Sequence, residues 1–143
     1  MKADADSVYI TDYAVTDAAV HDSNVLPELI DNFPGENLFA DSAYKSTEID
    51  ALLSALNINN NIHEKGCRNH PLNHLDLHLN HLKSKIRSRV EHIVGCFESS
   101  MGGPEPEFIG FKRNATDIGL CHLAYNMLQY VRLVRLGRVP AMV

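Results

Sequence analysis

Between Leu38 and Ser46 the chain changes character twice. A short apolar run, Leu38-Phe39-Ala40, ends in Asp41. Two small residues, Tyr44 and Lys45 follow, and Ser46 then opens a helical pattern. This succession predicts a buried strand that delivers a carboxylate at its C-terminal end, just ahead of a helix. In open α/β sheets, ligands and chemistry collect at those strand ends. One aspartate does little alone, so the rest of the chain is read for what reaches it.

Upstream, Val8-Tyr9-Ile10 and Tyr13-Ala14-Val15-Thr16 are β-branched and aromatic, which predicts a strand over 7–16, bent near Thr11-Asp12. Asp22-Ser23 suits the start of a short helix over Val25–Asp31, with Pro27 in its first turn. Asn32-Phe33-Pro34-Gly35 reads as a turn. Downstream, Ser46-Thr47-Glu48-Ile49 resembles a capped helix start, and Ile49, Leu52, Leu53 and Leu56 supply one apolar face. Asn57–Asn61 breaks that pattern, and Asn61-Ile62-His63 is a short strand candidate. Residues 1–63 thus read as β-α-β-α-β, a mostly parallel arrangement with helices packed on it.

Residues 64–75 read as a linker, with Pro71 preventing a helix across it. Residues 76–143 form the helical part. Leu79, Leu82, Ile86, Val90, Ile93 and Phe97 fall at helical spacing between about Asp76 and Phe97. Met101–Pro106 is a Gly/Pro-rich break, and Phe108–Phe111 is a brief extended piece. A last helix, from Asn114 or Thr116 to about Leu136, carries apolar residues broadly enough to predict a well-buried helix. The class is α/β with long C-terminal helices, in one domain.

The chain of 143 residues is long enough for a real core. No apolar run approaches the roughly 20 residues of a membrane span. The acidic start, Met1 to Asp6, is not a signal peptide. Cys67, Cys96 and Cys121 are odd in number and far apart, which fits inert thiols in a reduced cytoplasm. The net charge of −5 hides an asymmetry. Residues 1–60 hold two lysines against eleven acids, whereas residues 61–143 hold eleven Lys/Arg against seven acids. A nucleic-acid surface is therefore compatible with the second half.

Glu91 lies beside the apolar stripe of the long helix, in Lys83-Ser84-Lys85-Ile86-Arg87-Ser88-Arg89-Val90-Glu91. Arg87 and Glu91 are four apart and face the same way. If Lys83, Lys85, Arg87 and Arg89 hold phosphates, Asp41 and Glu91 are two hard-oxygen ligands suited to Mg²⁺ or Mn²⁺. Two-metal phosphoryl transfer needs such carboxylates. From spacing alone the plainer reading is favoured, a capping aspartate and an intrahelical ion pair. A zinc site among Cys67, His70, His74, His78 and His81 is disfavoured, because Pro71 interrupts and no second cysteine is near. Arg132, Arg135 and Arg138 suit the carbonyl end of the last helix. Tyr44 is read as packing under the strand end.

Several segments match a known family in order. Tyr13-Ala14-Val15-Thr16-Asp17-Ala18-Ala19-Val20-His21-Asp22-Ser23 resembles the strand and loop before the second catalytic aspartate of DDE-class bacterial insertion-sequence transposases. Ala40-Asp41-Ser42-Ala43-Tyr44 resembles the Ala-Asp-x-x-Tyr signature holding that aspartate. Glu64–Leu72 is similar to the family's linker. Lys83–Glu91, Ser100–Gly103, Ile118-Gly119-Leu120 and Leu123–Met127 resemble its C-terminal end.

The resemblance implies the C-terminal half of a ribonuclease-H-like catalytic domain, with an incomplete mixed sheet flanked by helices. It makes Asp41 the second catalytic aspartate and Glu91 the catalytic glutamate, both metal ligands for Mg²⁺ or Mn²⁺. Arg87 matches the arginine of the family's Tyr-Arg-Glu-Lys signature, whose tyrosine and lysine positions are here Ser84 and Glu98. The family's first aspartate has no counterpart, since Asp4, Asp6 and Asp12 are misplaced for it. The resemblance therefore implies a truncated chain, inactive alone. The intact enzyme would cleave DNA and transfer strands in the bacterial cytoplasm, at the nucleoid. Its partners would be transposon-end and target DNA, with a homo-oligomer or a separate N-terminal half. The alternative is a non-catalytic DNA-binding or protein-interaction module.

Overall fold

The chain was analysed as a computed structural model, which describes residues 1–17, 19–30, 34–68, 71–103 and 108–140. Elements run in the order β1 (Lys2–Ala3), β2 (Ile10–Asp12), a 3-10 turn (Asp22–Asn24), α1 (Leu26–Leu29), β3 (Asn37–Leu38), a second 3-10 turn (Ser42–Tyr44), α2 (Thr47–Ala55), β4 (Asn59–Asn60), α3 (His74–Ser100) and α4 (Phe111–Arg135). They form two compact units, 16–88 and 1–15 with 89–143; the boundary falls inside α3. The chain is a mixed α/β protein with small sheets.

In the unit formed by 16–88, β3 and β4 pair in parallel, Asn37 with Asn59 and Leu38 with Asn60. The ladder continues past both strands. The amides of Asn59, Asn61 and His63 donate in turn to the carbonyls of Glu36, Leu38 and Ala40. Such alternation is what parallel pairing requires, and it brings Asp41 and His63 to the same end of the pair. The crossover between them is α2. Ser46 caps it, its hydroxyl accepting from the Ile49 amide at 3.2 Å. Asn57 ends it in the left-handed region, φ 54°. The Ile58 and Asn57 amides then bond back to the Leu53 and Ser54 carbonyls. This is the pattern that closes helix C-termini, and asparagine tolerates its backbone angle. Leu26, Ile49, Leu53 and Ile62 form the core, with Leu38, Ala40 and Tyr44 packed against it. Tyr44 thus packs beneath the strand end, as the sequence predicts.

In the other unit, β1 and β2 form an antiparallel hairpin. The expected strand over 7–16 is shorter, because Val8 sits at φ 59° and interrupts extended backbone. Asp4 closes the turn, accepting from the Ser7 amide at 2.6 Å and the Ser7 hydroxyl at 2.5 Å. Ile10, Ile93, Phe97 and Tyr125 form this unit's core.

The final helix differs from expectation in two ways. It begins at Phe111 rather than at Asn114 or Thr116, because Gly110 at φ 107° turns the chain into helix earlier. Asn114 instead clamps Phe108, bonding both its amide and its carbonyl. Nor is the broad apolar face buried. α4 turns His122, Tyr125, Gln129 and Leu133 inward, and leaves Leu120, Leu123, Met127, Leu128 and Val131 44–64% exposed. The reason lies in backbone satisfaction. Asn126 donates to the Ile10 carbonyl at 2.8 Å and accepts from its amide at 2.9 Å, so an amide side chain stands in for a neighbouring strand. Gln129 likewise donates to the Ser7 carbonyl at 2.7 Å. The side carrying Asn126 and Gln129 faces the hairpin together with Tyr125, and the leucines on the other side face out.

Among the described residues no helix is long and apolar enough to cross a membrane. Cys67, Cys96 and Cys121 are free thiols.

Candidate functional site

Asp41 follows the parallel ladder directly and turns the chain into a 3-10 turn. Its backbone is extended, and its carboxylate accepts the Ser42 amide at 2.6 Å. The capping role favoured from spacing is therefore real. The carboxylate also meets a second partner: Arg87 Nη1 lies 3.0 Å from Oδ1. His63 Nδ1 is 4.0 Å from the same oxygen. Asp41 remains half exposed.

The electrostatics follow from these distances. The hydrogen bond from the Ser42 amide does most to hold the Asp41 carboxyl below its ordinary value; burial opposes it, and the Arg87 guanidinium and then the nearby imidazole add smaller lowering effects. It is ionised at neutral pH. His63 is buried, and burial pushes its pKa down, helped by the positive charges of Arg87 and Lys83 and opposed by Asp41. The ring is therefore neutral, and its Nε2 is buried without a hydrogen-bond partner in the described structure.

Three residues of α3, at positions 80, 83 and 87, share one helical face and tie it to the segment after β4. Asn80 accepts from the Glu64 amide and donates to the Glu64 carbonyl, each at 3.0 Å. Lys83 donates to the Ile62 carbonyl at 2.9 Å. Arg87 reaches Asp41 one turn further on. Lys45 forms an ion pair with Glu64 at the same end.

The predicted basic residues thus divide. Lys83 and Arg87 turn toward the strand ends, Lys85 is exposed, and Arg89 donates to the Ala5 carbonyl and lies 3.7 Å from Asp6. Glu91 lies one turn beyond Arg87 on α3 and is exposed. Asp4, already committed to Ser7, is no spare carboxylate.

Sequence reading missed His63 and Asn80. A signal for His63 existed, a polar residue directly after the apolar Ile62 at a strand end. Asn80 carried only its spacing from Lys83 and Arg87.

Asp41 is ionised, oxygen-bearing and half exposed, which suits one ligand of a hard divalent cation. Among the described residues, no group of three or more His, Cys, Asp or Glu side chains gathers as a metal site would require. His74, His78 and His81 are exposed on α3, and His70 lies outside the described residues.

Comparisons with known proteins point to one family. Residues 1–127 match the family described as Transposase DDE domain. A relative from Neisseria meningitidis serogroup B, a transposase for insertion sequence element IS1106, is 28% identical over 116 residues. The match covers 80% of this chain and 40% of that relative, so the chain spans less than half of the relative's length. No solved structure matches.

Proposed function

The chain belongs to the transposase DDE domain family, and from that premise we propose that residues 1–143 are the C-terminal portion of a DNA transposase's catalytic domain. The reaction of the whole enzyme is metal-dependent cleavage at the ends of a mobile element and strand transfer into a target. The observation that supports this most is the placement of Asp41. It is an ionised, half-exposed carboxylate at the C-terminal end of a parallel strand pair, faced by an arginine at 3.0 Å. The proposed fold is a partial ribonuclease-H-like one, whose mixed sheet needs strands beyond those described.

In this reading Asp41 and Glu91 are the catalytic carboxylates and the ligands of Mg²⁺ or Mn²⁺. The cation of such sites supplies the activation of water and then of a 3′-hydroxyl toward a phosphodiester. Lys83, Lys85, Arg87 and Arg89 contact DNA phosphates; Lys85 is exposed, and Lys83 and Arg89 must leave their backbone carbonyls to do so. Two carboxylates do not complete the set, so this chain alone is inactive and draws a third from a segment outside it. DNA binding is weak and falls with salt.

A second reading rests on a specific observation: Arg87 already neutralises Asp41, and no three-ligand group exists among the described residues. The chain then serves as a non-catalytic module that binds DNA or a separately made N-terminal half. The two readings separate in one experiment. The chain is mixed with the N-terminal segment of a relative, labelled transposon-end DNA and Mg²⁺, and cleavage is followed on a gel. The first reading expects cleavage that Asp41→Asn and Glu91→Gln each abolish while mobility-shift binding persists. Binding without any cleavage supports the module.

A further inference from the structure

α4 carries its apolar stripe on the side turned away from its own unit. Leu120, Leu123, Met127, Leu128 and Val131 recur three and four positions apart, as residues sharing one helical face do, and all are exposed. The opposite face, with His122, Tyr125, Gln129 and Leu133, is buried. Two charges bracket the outward stripe. Asp117 is the only acidic residue of α4, and Arg135 is the helix's last residue. They are 18 positions apart, five full turns, so they lie on one side of the helix about 27 Å from each other. Asp117 is partly exposed and Arg135 is exposed. Neither forms an ion pair among the described residues.

This pattern is complementary to itself. When a second α4 is turned end for end about a two-fold axis level with Tyr125 and Asn126, positions equally far before and after that level meet. The same edge of each stripe then lies together. Leu120 comes opposite Val131 of the second copy, Leu123 opposite Met127, and Leu128 opposite the small, exposed Ala124. At both ends of the stripe Asp117 of one copy comes opposite Arg135 of the other. A parallel pairing sets like-numbered residues level with each other, so neither charge meets its opposite. We propose that the outward face of α4 docks antiparallel on the same face of a second copy. Leu120 to Val131 form the apolar seam, and two Asp117–Arg135 pairs close its ends. The reaction assigned to the chain plays no part in this proposal.

The test exchanges the charges. Asp117→Lys makes both end pairs cation on cation, and Arg135→Glu makes both anion on anion. Sedimentation equilibrium of the full chain should show the wild type as a monomer and dimer in exchange, with nothing larger, because a two-fold interface closes on itself. Each single variant should dimerise at least about fivefold more weakly, since attraction turns to repulsion at both ends. Mixing the two variants restores opposite charges at both ends. The mixture, with one variant fluorescently labelled, should form a heterodimer within about twofold of the wild-type affinity. Should a reversal variant lack the wild-type helical spectrum, Asp117→Asn, Arg135→Gln and their double variant replace it. Each single should then weaken the dimer at least about twofold and the double no further, because the pair is already broken. A wild type that stays monomeric or grows past the dimer overturns the proposal. So do variants as tight as wild type, a mixture no tighter than its components, or additive losses in the double variant.

Discussion

Replacing Gly119 by alanine sets two effects of similar size against each other. A Cβ at Gly119 would lie 2.2 Å from Tyr13 Oη and 3.1 Å from Cζ, so the tyrosine must move. Tyr13 is 39% exposed and can swing toward solvent. In doing so it leaves His122, with which it forms an edge-on ring pair at 4.5 Å and 85°. Such pairs contribute about 0.5–1.5 kcal/mol beyond burial. In the other direction, alanine is better than glycine in a helix interior by about 0.8–1.0 kcal/mol. Gly119→Ala alone should therefore change stability by less than about 0.7 kcal/mol, the difference of these terms. In a Tyr13→Ala background the clash and the ring pair are both gone, and the same substitution should stabilise by about 1 kcal/mol. The expected coupling in the double-mutant cycle is about 1 kcal/mol. Urea denaturation of the four proteins measures it, with midpoints compared at constant slope. Additive effects would refute the reasoning, since they would mean that Tyr13 does not sit over Gly119. The glycine of Ile118-Gly119-Leu120 would then need another explanation.

Three further outcomes follow from the packing. Leu53 is fully buried among Leu26, Ile49 and Ile62, so Leu53→Ala should cost about 2.5–5 kcal/mol in urea denaturation, whereas Leu123→Ala on the exposed side of α4 should cost under about 1 kcal/mol. Burial lowers the pKa of both His63 and His122, aided at His122 by the positive chain N-terminus and at His63 by Arg87 and Lys83. Below the ordinary value of about 6.5 the unfolded chain then binds protons that the native one refuses. Stability should be level above that pH and fall as pH drops toward the depressed native values. His122→Phe, which keeps a ring between Tyr13 and Phe97, should flatten part of that slope below about pH 6.5; an unaltered slope would count against it. The outward stripe of Leu120, Leu123, Met127, Leu128 and Val131 should drive self-association, the homo-oligomer expected from the sequence. Light scattering should show a mass that rises with concentration and falls toward the monomer in Leu123→Lys/Met127→Lys; a monomeric wild type at all concentrations would refute it.

Much of the local structure was legible in the sequence because its causes are local. Ser46 caps α2 through a bond to a residue three positions on. Asn57 ends that helix through its own backbone angle. The long periodicities became α3 and α4, with ends within a few residues of expectation except at Phe111. The apolar run before Asp41 lies in a short parallel pairing, β3 at Asn37–Leu38, with the carboxylate at its C-terminal end, but that strand is exposed to half-buried and not the buried one expected.

The tertiary structure decided the contacts that close over distance. Periodicity says which side of a helix is apolar, and the natural inference is that this side is buried. In α4 it is not, because Asn126 must satisfy Ile10 across 116 positions, a demand no local window contains. The same holds at Asp41. Its residue type and strand end are sequence properties. That its first cation is Arg87, and that a neutral, buried His63 stands beside it, depends on how α3 and β4 meet. Hydrogen bonds and ion pairs are set by distances of a few ångströms in space, and spacing along the chain encodes those only within a helix or a turn.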